Sequence, residues 1–142
     1  MNKFHWALGV TAVLLAVGAS GATPQAADRA APGTVYMEPP TLEALGLEWP
    51  LSGDDNRNAT VSIRYRKKGT ENWREGLPPL RIGGEETRYL SLDFTAPRMF
   101  AGSLFDLEPG TSYEISLRMA DPDGVEGAAE QRIDPGPAIG LS

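Results

Sequence analysis

From Thr34 onward, apolar residues recur at every second position, and no window repeats them at the spacing a helix of three turns requires. Two stretches carry the pattern most cleanly. Val61, Ile63 and Tyr65 alternate with Ser62, Arg64 and Arg66, and Tyr113, Ile115, Leu117 and Met119 alternate with Glu114, Ser116 and Arg118. Successive side chains of a strand point to opposite sides, so each stretch has one dry face and one charged face, as an antiparallel sheet with one wet side demands. Shorter runs flank them. Thr34 to Met37 is stopped by Pro39 and Pro40, and Leu45, Leu47 and Trp49 alternate up to Pro50. Trp73 to Ile82 contains Pro78 and Pro79, which donate no ladder hydrogen bonds, so an edge segment is expected there. Leu90, Leu92 and Phe94 alternate, Phe100, Gly102 and Leu104 continue the pattern, and Val125 to Ile133 is a weak final run. Glycine and proline, 16 and 12 of 142 residues, supply turns at roughly ten-residue spacing. The expected fold is all-β: a seven-stranded antiparallel β-sandwich.

Residues 1–22 stand outside that pattern. Lys3 and the amino terminus are positive, an apolar run of 12 residues extends from Trp6 to Val17, and Ala19, Ser20, Gly21 and Ala22 are small. This is the layout of a cleavable signal peptide, and the run is shorter than the roughly 20 residues a bilayer crossing needs. The chain is therefore expected to be secreted or periplasmic, with no integral membrane span after cleavage. Residues 23–33 are expected to be a flexible lead-in, 34–134 the domain, and 135–142 a C-terminal tail. Without residues 1–22 the chain keeps 12 basic against 19 acidic side chains, a balance that repels phosphate backbones and anionic lipid alike. Nucleic acid is excluded as an expected partner, and a monomer is expected.

Chemistry is limited by what is missing. There is no cysteine, which excludes disulfides, thiolate metal sites and a cysteine nucleophile, and the single histidine, His5, lies in the signal segment. Ser52-Gly53 and Gly102-Ser103 lack the strand, sharp turn and helix of a nucleophile elbow. No enzyme and no cofactor are expected, and a small stand-alone hydrolase is disfavoured.

One segment is more specific. Leu104-Phe105-Asp106-Leu107-Glu108-Pro109-Gly110-Thr111-Ser112-Tyr113 resembles the turn and corner of a fibronectin type III domain, an immunoglobulin-like sandwich. Trp49, at the end of the second run, and Tyr65, in the run that closes with Lys67-Lys68-Gly69, match the same family in the same order. The resemblance spans about residues 34–134. It implies a tyrosine corner, with the Tyr113 ring buried and its hydroxyl bonded back to the preceding loop, Leu107 plugging the base, and Pro109 and Gly110 forming the turn. It also implies a core role for Trp49 and Leu104. The segments Gly53 to Thr60 and Asp106 to Thr111 are similar to those of the N-terminal module of secreted bacterial parallel β-helix proteins. That makes a detached accessory domain of a polysaccharide-processing protein the alternative to a binding or spacer module.

Two groups of residues are candidates for contact. Asp54 and Asp55 follow the second strand and Asp121 and Asp123 follow the sixth; in such a sandwich these loops emerge at one end, where hard oxygen ligands would suit Ca²⁺. The same residues are good turn formers that bond their local backbone. Arg64, Arg66, Lys67, Lys68 and Arg74 form a basic strip on an acidic chain. It is either a solvated face that resists edge pairing or a docking face for an acidic protein or polysaccharide.

Overall fold

The computed structural model describes residues 27–136 apart from 85, 90 and 91, and for 86–89, 92 and 93 the backbone alone. The expected signal peptide, the start of the lead-in and the tail from 137 lie outside the described residues. Those residues contain eleven strands and no helix: β1 (Ala30–Pro32), β2 (Tyr36–Met37), β3 (Leu45–Gly53), β4 (Thr60–Lys67), β5 (Arg74–Glu75), β6 (Leu80–Ile82), β7 (Glu86–Tyr89), β8 (Leu92–Thr95), β9 (Met99–Leu104), β10 (Tyr113–Ala120) and β11 (Glu130–Ile133). One sheet runs β1-β3-β9-β6, with β2 also on β3; a second runs β11-β10-β4-β5; β7 and β8 form a hairpin of their own. Every strand pair is antiparallel.

The alternation read from the sequence is the alternation of burial. Leu45, Leu47, Trp49 and Leu51 of β3 and Phe100 and Leu104 of β9 turn inward from one sheet. Val61, Ile63 and Tyr65 of β4 and Tyr113, Ile115, Leu117 and Met119 of β10 turn inward from the other. All belong to one hydrophobic cluster, so the two sheets share a sandwich-like core. Trp49 is wholly buried, and its indole N–H, which would otherwise be stranded there, donates to the Gly33 carbonyl at 3.0 Å.

Four expectations need correction. The strand count exceeds seven. The lead-in does not run loose to Gly33: Ala30–Pro32 pairs with β3, Ala30 is wholly buried, and its amide donates to Asp121 Oδ2 at 2.7 Å. A methyl side chain is small enough for the seam between the sheets, which composition alone cannot show. The Trp73–Ile82 segment is not one edge strand but two. β5 lies on β4, the chain crosses at Gly76-Leu77-Pro78-Pro79, and β6 lies on β9. Pro78 and Pro79 end the pairing on one sheet, and Gly76 permits the crossing, since a Cβ there would meet Leu104 Cδ2 at 2.7 Å. Leu92 and Phe94 pair within the β7–β8 hairpin, separate from Phe100 to Leu104; Leu90 is outside the described residues.

The hairpin continues the β6–β9 ladder in the same register. Ile82 faces Met99, three residues intervene on each strand, and Glu86 faces Thr95. In the gap the Gly84 amide donates to the Ala96 carbonyl at 3.0 Å. Gly83, at φ 113°, passes so close to Pro97 and Arg98 that a Cβ would stand 2.3 Å from the Pro97 carbonyl oxygen.

Candidate functional site

The corner segment takes a structural position. The Tyr113 ring is buried, 3% exposed, and the Glu108 amide donates to its hydroxyl oxygen at 3.0 Å. Its ring lies 6.1 Å from that of Tyr65, tilted by 56°. Leu104 and Leu107 are buried below it, and the Leu107 amide donates to the Glu43 carbonyl at 3.0 Å. Pro109 and Gly110 are exposed in the turn, and Gly110 has φ 66°, a conformation open to residues without a side chain.

The two acidic loops do meet, but their carboxylates serve separate donors. Asp54 is wholly buried, takes the Ala59 amide on Oδ1 at 3.0 Å, and takes Arg81 on Oδ2 at 2.9 Å. Asp55 pairs with Arg98, whose guanidinium also donates to the Gly53 carbonyl at 3.1 Å. Asp121 takes the amides of Ala30 and Asp123, both at 2.7 Å. Asp123 takes the side-chain amides of Asn56 at 2.7 Å and Asn58 at 2.9 Å. Those two amides, Asn58 foremost, hold its carboxyl below the usual aspartate range. Among the described residues no three acidic or histidine side chains gather closely enough to hold a metal ion. The loop acids brace strands. Arg81 and Arg98, which sequence reasoning missed as their partners, root both strands of the arm formed by β6 to β9 in the same loop.

The basic strip lies on the outward face of the β11-β10-β4-β5 sheet, and much of it is paired. Arg66 bonds Glu114, Lys67 bonds Glu108 and Lys68 bonds Asp134. The Lys68 pair holds the Asp134 carboxyl low and pushes the ammonium up. Arg64 and Arg66 stack on Trp73 with their guanidinium carbons 4.9 and 4.6 Å from a ring centroid. Arg74 does not join them; it lies over Tyr65 at 5.4 Å, beside the corner.

Beyond the strip, the register assembles residues that the sequence does not group. Ser62 faces Arg118 and Arg118 faces Glu130; Glu75 faces Arg64 and Arg64 faces Ser116. These six line a polar depression of about 180 Å³. Ser116 is buried and donates to Glu130 at 3.4 Å, and Arg64 stands 3.9 Å from the same carboxylate. Arg118 is exposed and, among the described residues, has no ion pair or side-chain hydrogen bond, and neither has Glu75. The alternation of 114, 116 and 118 shows that Arg118 points to the wet side, but only the strand register shows what stands next to it.

The scan of family models finds no match to this chain, and the search of curated proteins finds none.

Proposed function

We propose that the chain is an exported, non-catalytic module of the fibronectin type III kind that binds an acidic protein or polysaccharide through the outward face of its β11-β10-β4-β5 sheet. Strand order supports the fold. Immunoglobulin-like sandwiches set strands A, B, E and D in one sheet and C, F and G in the other. Here β1, β3, β9 and β6 follow the first order and β4, β10 and β11 the second, with β5 beside β4 where a C′ strand lies. The buried Tyr113, its bond from Glu108 and the buried Trp49 support the family.

One observation carries the binding reading: Arg118, which has no ion pair among the described residues, opens into a depression with Arg64 and two serine hydroxyls on one side and the carboxylates of Glu75 and Glu130 on the other, so an acidic group has to enter from the Arg118 side. A carboxylate entering there meets a guanidinium that already lies in a polar frame and need not be released from an ion pair. Retention of the mature chain on immobilised polygalacturonate, against a neutral glucan, tests it. Arg118→Ser and Arg64→Ser are each expected to weaken retention by about tenfold, the scale of one charged hydrogen bond. Retention unchanged in both variants overturns the acidic-ligand reading.

A second reading has its own support. Arg66, Lys67 and Lys68 are already paired with acids of this chain, as on a face built to stay solvated. On that reading the module is a spacer or accessory unit of a larger exported protein.

A further inference from the structure

Among the described residues, the β7–β8 hairpin has no strand neighbour beyond itself, and two strands alone are only marginally stable in water. Its root is the opposite of loose. Arg81 is held by the buried Asp54, Arg98 is held by Asp55 and Gly53, and Gly83 is pressed against Pro97 and Arg98. The outer edge of β7 is in register with that of β6, the last strand of its sheet, and among the described residues neither edge has a strand partner. Leu80 and Phe94 on this arm are 73% and 62% exposed. A braced arm with an open edge and exposed apolar side chains is a template for another strand.

The order of charges on β7 identifies that strand. Glu86-Thr87-Arg88 is self-complementary when read antiparallel: with Thr87 opposite Thr87, Glu86 of each copy takes the place opposite Arg88 of the other, twice about one axis, and Arg88, at the register position facing Asp93 within its own hairpin, then has an acidic position on either side. The other edges do not match themselves. On β8 the one charge is Asp93, which an antiparallel pairing centred on it sets against itself, and β6 follows Pro78-Pro79 with its own cation committed to Asp54. We propose that two copies of this chain associate through their β7 edges, antiparallel about Thr87, joining the two hairpins into one four-stranded sheet. The inference is independent of the ligand-binding face, which is on the other sheet.

Sedimentation of the mature chain over a concentration series up to about 1 mM at low salt tests it. The mass is expected to rise toward that of a dimer. Glu86→Arg alone and Arg88→Glu alone each set like charges opposite one another and weaken association roughly tenfold or more. An equimolar mixture of those two variants forms a heterodimer, and the double variant Glu86→Arg with Arg88→Glu regains the homodimer. Matching circular dichroism and melting curves confirm that the variants fold, and because residue 88 faces Asp93 across its own hairpin the series is made in an Asp93→Asn background, so that Arg88→Glu meets no second acid within the hairpin. A parent chain that stays monomeric at the highest concentration overturns the proposal. So does a dimer that either single exchange leaves intact, or one that the double exchange does not restore.

Discussion

Tyr113 and Asp54 are the two side chains on which the most depends. The Tyr113 hydroxyl accepts from the Glu108 amide at the start of the turn. Tyr113→Phe keeps the ring and leaves that amide without its partner, so a loss of about 1–3 kcal/mol is expected in chemical denaturation. Asp54 is a buried carboxylate whose oxygens are both in use, and Arg81 is nearly as buried, with 13% of its side chain exposed. Asp54→Ala strands the guanidinium against Phe100 and is expected to cost about 3–5 kcal/mol. Asp54→Asn combined with Arg81→Met removes both charges, keeps an acceptor for the Ala59 amide and suits the φ of 51° at this position, and is expected to cost much less. A double variant as unstable as Asp54→Ala would show that the pair is not what holds the loop.

Among the elements, the strands with strict alternation were legible and the joins between them were not. β4 and β10 stand where Val61 to Tyr65 and Tyr113 to Met119 placed them, because each strand buries one face whatever its neighbours are. The corner was legible for a related reason: its turn residues act locally. β1, β6 and the β7–β8 hairpin were illegible, since short runs such as Ala30–Pro32 acquire a conformation only from the strands they meet. The acids were visible as a group, but their partners Arg81 and Arg98 lie 27 and 43 residues along the chain. The loops that follow β3 and β10 are joined by Asp123. Its lowered pKa means that the folded state binds this proton more weakly than the unfolded chain. The resulting stability is present above the ordinary value of 3.8 and is lost as pH falls through the lower folded value. The side-chain amide resonances of Asn56 and Asn58 are expected to titrate with a midpoint below 3.8, and Asn56→Ala with Asn58→Ala is expected to move the Asp123 midpoint back up toward it.

At the scale of the molecule, the two proposed contacts fall on different sheets: an anionic ligand on the outward face of β11-β10-β4-β5, and a second copy at the β7 edge that continues β6. The alternation along β4 and β10 foretold a wet, charged face, but not that Glu114, Glu108 and Asp134 neutralise much of it while Arg118 keeps no ion pair among the described residues. The first strand adds a mechanical consequence. Ala30 is laced to β3 on one side. On the other it meets Val125 in a parallel bridge, which leads the chain toward β11, with the Glu126 amide donating to the Ala30 carbonyl at 2.8 Å. Tension applied between residues 27 and 136 therefore drags two co-directional segments lengthwise past each other. The Glu126–Ala30 bond and the bond from the Ala30 amide to Asp121 are then loaded sideways at the same moment, so the first strand is held by a small clasp along the line of pull.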